Sequence, residues 1–164
     1  MARLNLGCGA DIRPKEEGWL NLDARRLPGV NLVHNFAYPI PFGDDLADEI
    51  LANDLLEHFP QDWVPGILKD WHRLLKSGGI LNLRIPNIRM IARRLLSGAI
   101  DEPTAVHLLY GDQSVAAGGY QWGGHKHGYT PAMIQKILAE VGFTDIVVEE
   151  HATEHNLYIS ARKP

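Results

Sequence analysis

A short apolar run, Leu4-Asn5-Leu6, leads into Gly7-Cys8-Gly9, and a second, Trp19-Leu20-Asn21-Leu22, ends on Asp23. Glycines at 7 and 9 let the backbone take positive φ and approach a ligand closely. A carboxylate closing the next strand can accept the hydroxyl protons of a ribose. Together they point to a nucleoside-containing ligand, although Gly-x-Gly alone reads equally well as a tight turn. The signature G-x-G-x-x-G is not completed. Ala10-Asp11-Ile12-Arg13-Pro14 and the charged Lys15-Glu16-Glu17 come next, and they offer a pyrophosphate no helix N-terminus. A ligand with a ribose and no phosphate fits better, which makes a nicotinamide-dependent oxidoreductase the weaker reading.

The second chemical stretch is Tyr120-Gln121-Trp122-Gly123-Gly124-His125-Lys126-His127-Gly128-Tyr129. It is polar, aromatic and broken by glycine. Its two histidines titrate near neutrality, so His125 or His127 is a candidate to take a hydroxyl proton. The competing reading is a surface turn with idle histidines. A His-x-His pair could also start a metal site, but the sequence shows no convincing third ligand, and no metal is expected. His58, next to Glu57, reads first as a buried structural histidine and second as a site residue. Trp63 and Trp71 read as core, and His107, His151 and His155 as structural. Cys8 reads as a small packing residue, since no base adjoins it.

The elements that must position these residues alternate. Strands are expected over 2–6, 19–23, 30–34, 48–52, 79–85, 143–149 and 156–161. Val64, Ile67, Leu68, Trp71, Leu74 and Leu75 repeat at helical spacing, with Pro65 in the first turn. Asn87 caps a second helix, 101–110 forms a third, and Thr130-Pro131 opens a fourth that Gly142 closes. Strands interleaved with helices imply an α/β fold with a mostly parallel sheet.

The whole chain limits what this frame can be. Its 164 residues, 45% of them hydrophobic and 22% charged, suit a single domain without repeats or linkers. A net charge of −4 argues against a nucleic-acid partner. One cysteine rules out an intrachain disulfide. The absence of a long apolar run predicts no signal peptide and no membrane partner, so the expected location is cytoplasmic.

Leu4-Asn5-Leu6-Gly7-Cys8-Gly9, Leu22-Asp23, Pro41-Phe42, Leu56-Glu57-His58, Leu75-Lys76-Ser77-Gly78-Gly79-Ile80-Leu81 and Leu138-Ala139-Glu140-Val141-Gly142-Phe143 resemble, in order and spacing, the class I S-adenosylmethionine-dependent methyltransferases. The resemblance implies a Rossmann-like three-layer α/β/α sandwich. Its seven-stranded, mostly parallel sheet would have order 3-2-1-4-5-7-6, with the last strand antiparallel. It implies S-adenosylmethionine as cofactor, leaving S-adenosylhomocysteine. Gly7, Cys8 and Gly9 would lie against its methionine part, Asp23 would hold the ribose, Asn35 the adenine amino group, and Phe36 would pack on the ring. Asn53 and Asp54 would face the transferred methyl.

The resemblance breaks at the first loop. Asn5 and Asp11 stand where the family has an acidic residue and a third glycine, and only 13 residues, 10 to 22, separate Gly9 from Asp23. The first helix is therefore expected to be reduced or missing, as in a small methyltransferase type 11-like subgroup that Gly18-Trp19 also resembles. Arg13 would then pair with the methionine carboxylate in place of a helix N-terminus. The implied activity is methyl transfer to a small-molecule or sugar-like acceptor, a hydroxyl. The alternative is a methyltransferase-like cofactor-binding or scaffold module without catalysis. Residues 87–130 form the expected substrate-facing insert, and a second copy of the chain as partner is left open.

Overall fold

A computed structural model describes residues 1–114 and 119–164. Seven strands form one sheet: β1 (Arg3–Leu6), β2 (Trp19–Asp23), β3 (Leu32–Val33), β4 (Ala47–Asn53), β5 (Leu75–Pro86), β6 (Thr144–Glu150) and β7 (Asn156–Arg162). Their order is β3-β2-β1-β4-β5-β7-β6. β1 pairs in parallel with β2 and β4, and β7 runs antiparallel to both β5 and β6. This is the order and direction expected. The third strand is shorter than expected, two residues instead of five, because only Leu22 and Asp23 offer it ladder partners.

One face of the sheet carries the core. Leu4, Leu6, Leu22, Ile50, Ala52, Leu81, Leu83, Ile85 and Ile159 form a continuous buried layer. Against it packs α1 (Val64–Leu74), whose Val64, Ile67, Leu68, Trp71 and Leu74 are all buried. Each such side chain contributes roughly 1.5–3 kcal/mol on leaving water. Beside it lies α5 (Pro131–Val141), started by the Thr130 hydroxyl accepting from Met133 N and ended at Gly142 in the left-handed region. Arg73 on α1 ties the 40–44 loop down, donating to the carbonyls of Ile40 and Phe42 and to Asp44.

The other face has no long helix over β1 and β2 among the described residues. Between those strands the chain forms only a single 3-10 turn, Lys15–Glu17, so one outer layer of the sandwich is reduced to loop. Two buried asparagines do the work of the helix contacts. Asn5 Nδ2 donates to Asp11 O at 2.7 Å and to Asn21 Oδ1 at 2.9 Å. Asn21 accepts from Arg13 N and donates to Arg13 O, both at 2.9 Å. Side-chain amides thus satisfy loop backbone that a helix would have satisfied internally.

The remaining helices stand after β5. They are α2 (Ile88–Leu96), capped by the Asn87 side chain, α3 (Glu102–Tyr110), capped by Asp101, and the short α4 (Gly119–Trp122). The expected irregular stretch after residue 110 falls partly on 115–118, outside the described residues. No helix of the described residues is long and apolar enough to cross a membrane.

Candidate active site

Parallel strands end on one side of a sheet, so the loops that leave those ends meet in one place. Here the ends of β1, β2 and β4 open into a cavity of about 550 Å³. That lies within the range of about 300–1,000 Å³ usual for small-ligand sites. Gly7, Asp23, Asn35, Phe36 and Asp54 all line it. Five of the residues singled out in the sequence are thus brought together, although they are spread from the first strand to the end of the fourth.

The first wall is built by backbone constraint. Gly7 has φ +63°, and a Cβ there would stand 2.8 Å from Leu55 Cδ1. Gly9, at φ +51°, donates its N–H to Asp23 Oδ2 at 2.8 Å. Asp23 Oδ1 accepts from Arg25 N at 2.8 Å and lies 3.4 Å from Arg25 Nε. The carboxylate is 5% exposed and fixed at both oxygens, with lone pairs left for a ligand hydroxyl. Cys8 is buried behind this loop. Burial, and after it the charge of Asp23, push its thiol up to about 11. It stays protonated at neutral pH and is no nucleophile.

The second wall comes after β3. Asn35 closes a turn, its Oδ1 accepting from Ala37 N at 3.0 Å. Phe36 is buried yet presents an edge to the cavity, and His34 packs against it edge to face at 5.7 Å. Trp63 also lines this side and is 50% exposed. That corrects the expectation that Trp63 is core, whereas Trp71 is core as expected. Trp63 sits in a 3-10 turn before α1, so it escapes the apolar stripe that buries Trp71.

The third wall is the one the sequence marked least clearly. After β4, Asp54 takes φ +50°, and its carboxylate pairs with Arg84 of β5, Nε to Oδ1 at 3.1 Å. A 3-10 turn, Leu56–His58, comes next. Its Glu57 carbonyl accepts from Lys126 N at 2.8 Å and His127 N at 3.2 Å, and Lys126 Nζ donates to His58 O at 3.0 Å. These bonds hold the 125–127 loop against a turn that lies far upstream in the chain.

His125, His58, Lys126 and Trp122 therefore reach the cavity together. The His58 and His125 rings meet edge to face at 5.0 Å. Burial pulls the His58 imidazole down to about 4, and burial also lowers His125. Both are neutral at pH 7. Glu57 is 0% exposed, and neither carboxylate oxygen has a hydrogen-bond partner among the described residues. Burial pushes its carboxyl up to about 8.

His127, Arg13, Asn53, Cys8 and Gly9, all expected at the site, are not among the residues that line this cavity. His127 turns inward onto Tyr129, ring to ring at 4.7 Å, with Nε2 buried. Arg13 pairs with Asp11 at 2.9 Å. Arg25 is the arginine beside Asp23, and it was signalled only by its place two residues after that carboxylate. Asn53 points to the opposite face of the sheet, where it lines a shallow recess with Asn82 and Arg84. Strand alternation is the reason: Ala52 faces the core, so Asn53 cannot face it too.

Residues 4–83 match the model of the methyltransferase domain family. No curated protein sequence matches the chain. Solved structures do. A Bordetella parapertussis protein superposes with TM-score 0.66 at 20% identity, over 99% of this chain and 62% of its own. The CurJ carbon methyltransferase gives 0.65 at 16% identity, over 99% and 48%. The Burkholderia thailandensis 1,6-didemethyltoxoflavin-N1-methyltransferase, solved with its substrate and S-adenosylhomocysteine, gives 0.64 at 17%, over 99% and 70%. The chain thus spans about half to two thirds of the length of the first two. The chain therefore has the fold and sheet order of the class I S-adenosylmethionine-dependent methyltransferases, and its first half matches the methyltransferase domain family.

Proposed function

We propose that this chain transfers a methyl group from S-adenosylmethionine to a hydroxyl of a small, sugar-like acceptor. The observation that carries the reading is that Gly7, Asp23 and His125 line one and the same cavity. Its residues fit the cofactor. Gly7, at positive φ, leaves the cavity wall space that a Cβ would fill, and Asp23 offers lone pairs where a ribose would lie. Phe36 offers an apolar surface to the adenine, with Asn35 beside it. The Gly7, Cys8 and Gly9 backbone would run along the methionine part. Arg25 is better placed than Arg13 to meet a carboxylate there.

Bound there, the cofactor supplies an electrophilic methyl: the O–CH3 bond forms as the S–CH3 bond breaks, sulfur keeps the electron pair, and the hydroxyl proton leaves. The chain's residues must align the two groups and exclude water. Trp63 and Trp122 provide apolar walls for that exclusion. His125, neutral at pH 7, stands where a hydroxyl proton can be accepted. Residues 87–130, the insert that supplies Asp112, Gln121, Trp122 and His125 to the cavity, select the acceptor.

Calorimetric titration with S-adenosylhomocysteine, then a methyl-transfer assay on simple sugars and polyols, tests this. Binding of one equivalent and turnover that His125→Ala removes without weakening the cofactor are expected. Binding without turnover on any hydroxyl acceptor would favour the scaffold reading, and absence of binding would overturn both.

A further inference from the structure

At the acceptor end of the cavity, one carboxylate oxygen of Glu57 and one ring nitrogen each of His58 and His125 lie within 4.8 Å of one another. We infer that Glu57, His58 and His125 form a binding site for a divalent transition-metal ion, with an open position toward the cavity. The inference about the ion is independent of the methyl-transfer reading; only its role toward an acceptor hydroxyl rests on that reading.

The donor set is a chemical match. Two imidazoles and one carboxylate, with a fourth position free, is a ligand set that holds zinc in catalytic sites. Tetrahedral bonds of about 2.0–2.1 Å place donor atoms about 3.4 Å apart. An ion would therefore have to draw these side chains in by roughly an ångström, with the turn and the loop kept in place by the backbone bonds to Glu57 O.

Independent features point the same way. The Glu57 carboxylate is fully buried with no hydrogen-bond partner among the described residues, which a protein rarely tolerates without a ligand or a proton to compensate. His58 Nδ1 lies 3.2 Å from Gly124 O. A proton on Nδ1 donates to that carbonyl and leaves Nε2 with a bare lone pair. His125 is fixed through its backbone, its N–H donating to Tyr110 O at 2.9 Å at the end of α3. Imidazoles that bind metals are typically oriented, as His58 is, by a carbonyl on the second nitrogen. Room for the His125 ring depends on Gly111, where a Cβ would stand 2.7 Å from His125 Cδ2.

The open position faces the space assigned to the acceptor, so an oxygen of the acceptor would complete the shell. The ion would then orient the hydroxyl and make it more acidic, relieving His125 of the role of base.

The test uses protein stripped with chelator and titrated with Co2+, read by its visible ligand-field absorption, and with Zn2+, read by calorimetry. S-adenosylhomocysteine is titrated in parallel, and a melting curve is recorded for every variant. One equivalent of either ion is expected to bind. His125→Ala and Glu57→Gln should each weaken binding beyond the roughly 10- to 100-fold that loss of a supporting partner costs, with S-adenosylhomocysteine affinity retained. His58→Ala serves the same purpose if either variant does not fold. Absence of Co2+ and Zn2+ binding in the wild-type protein would overturn the site, as would an unchanged Co2+ spectrum and affinity in the folded variants. Ion binding without S-adenosylhomocysteine binding would uphold the site and remove the methyl-transfer reading alone.

Discussion

The two ends of the cavity are built on opposite electrostatic plans. At the β1–β2 end the buried carboxylate and the two buried side-chain amides are answered. Asp23 accepts from Gly9 and Arg25, and Asn5 and Asn21 bond each other and the 11–13 backbone. At the β4 end, Glu57 is buried with no partner among the described residues, and His58 and His125 are held neutral by burial. A satisfied network is rigid and costs nothing more to use, so it suits a ligand bound the same way in every cycle. An unsatisfied cluster carries a standing cost that only a proton or a ligand relieves. On the proposed reading, the first region is pre-organised for the cofactor and the second is where the acceptor chemistry is placed.

The comparison can be broken most forcefully at Glu57. Its carboxyl is raised from 4.5 to about 8, first by burial and then by the charge of Asp54, with Arg84 opposing. A raised carboxyl contributes stability that is present below its unfolded value and lost as pH rises through the folded one. In chelator, the wild-type protein should therefore lose on the order of a few kcal/mol between about pH 4.5 and pH 8. Glu57→Gln should flatten that slope, as measured by denaturant unfolding across pH. The second largest effect is at the satisfied end. Asp23→Ala strands Gly9 N and Arg25 N and should weaken S-adenosylhomocysteine by on the order of 1–3 kcal/mol in calorimetry.

Gly7→Ala sharpens the backbone side of the same contrast. Positive φ and the 2.8 Å approach to Leu55 make it costly. A loss of about 1–2 kcal/mol in stability, with weaker cofactor binding, is expected in thermal and calorimetric measurements. Arg13→Ala should have the smallest effect. Its partner Asp11 is exposed, so cofactor affinity should stay within about 0.5 kcal/mol of wild type. Arg25→Ala in the same titration should reduce it several-fold.

The same contrast separates what could be read from sequence and what could not. The Thr130 cap and the missing first helix were legible because each is local: a cap residue, or a count of residues between Gly9 and Asp23. Gly7, Asp23, Asn35, Phe36 and Asp54 were placed because strand ends in this fold converge. Glu57, His58 and His125 were not legible as a set. Their meeting depends on backbone bonds from Lys126 and His127 to the Glu57 carbonyl, a tertiary contact with no spacing rule. For that reason no third ligand for His125 could be seen beside it in the sequence; the candidates stand far upstream. Asn53 and Trp63 were misplaced for local reasons: strand alternation in one case, a turn before the helix in the other.

The central claim is that the first end of the cavity is a finished cofactor site. Calorimetric titration of the purified chain with S-adenosylhomocysteine tests it most directly. Saturable binding of one equivalent is expected, weakened by Asp23→Ala and not by Glu57→Gln. Absence of binding by the wild-type chain, or equal affinity in the Asp23→Ala variant, would contradict it.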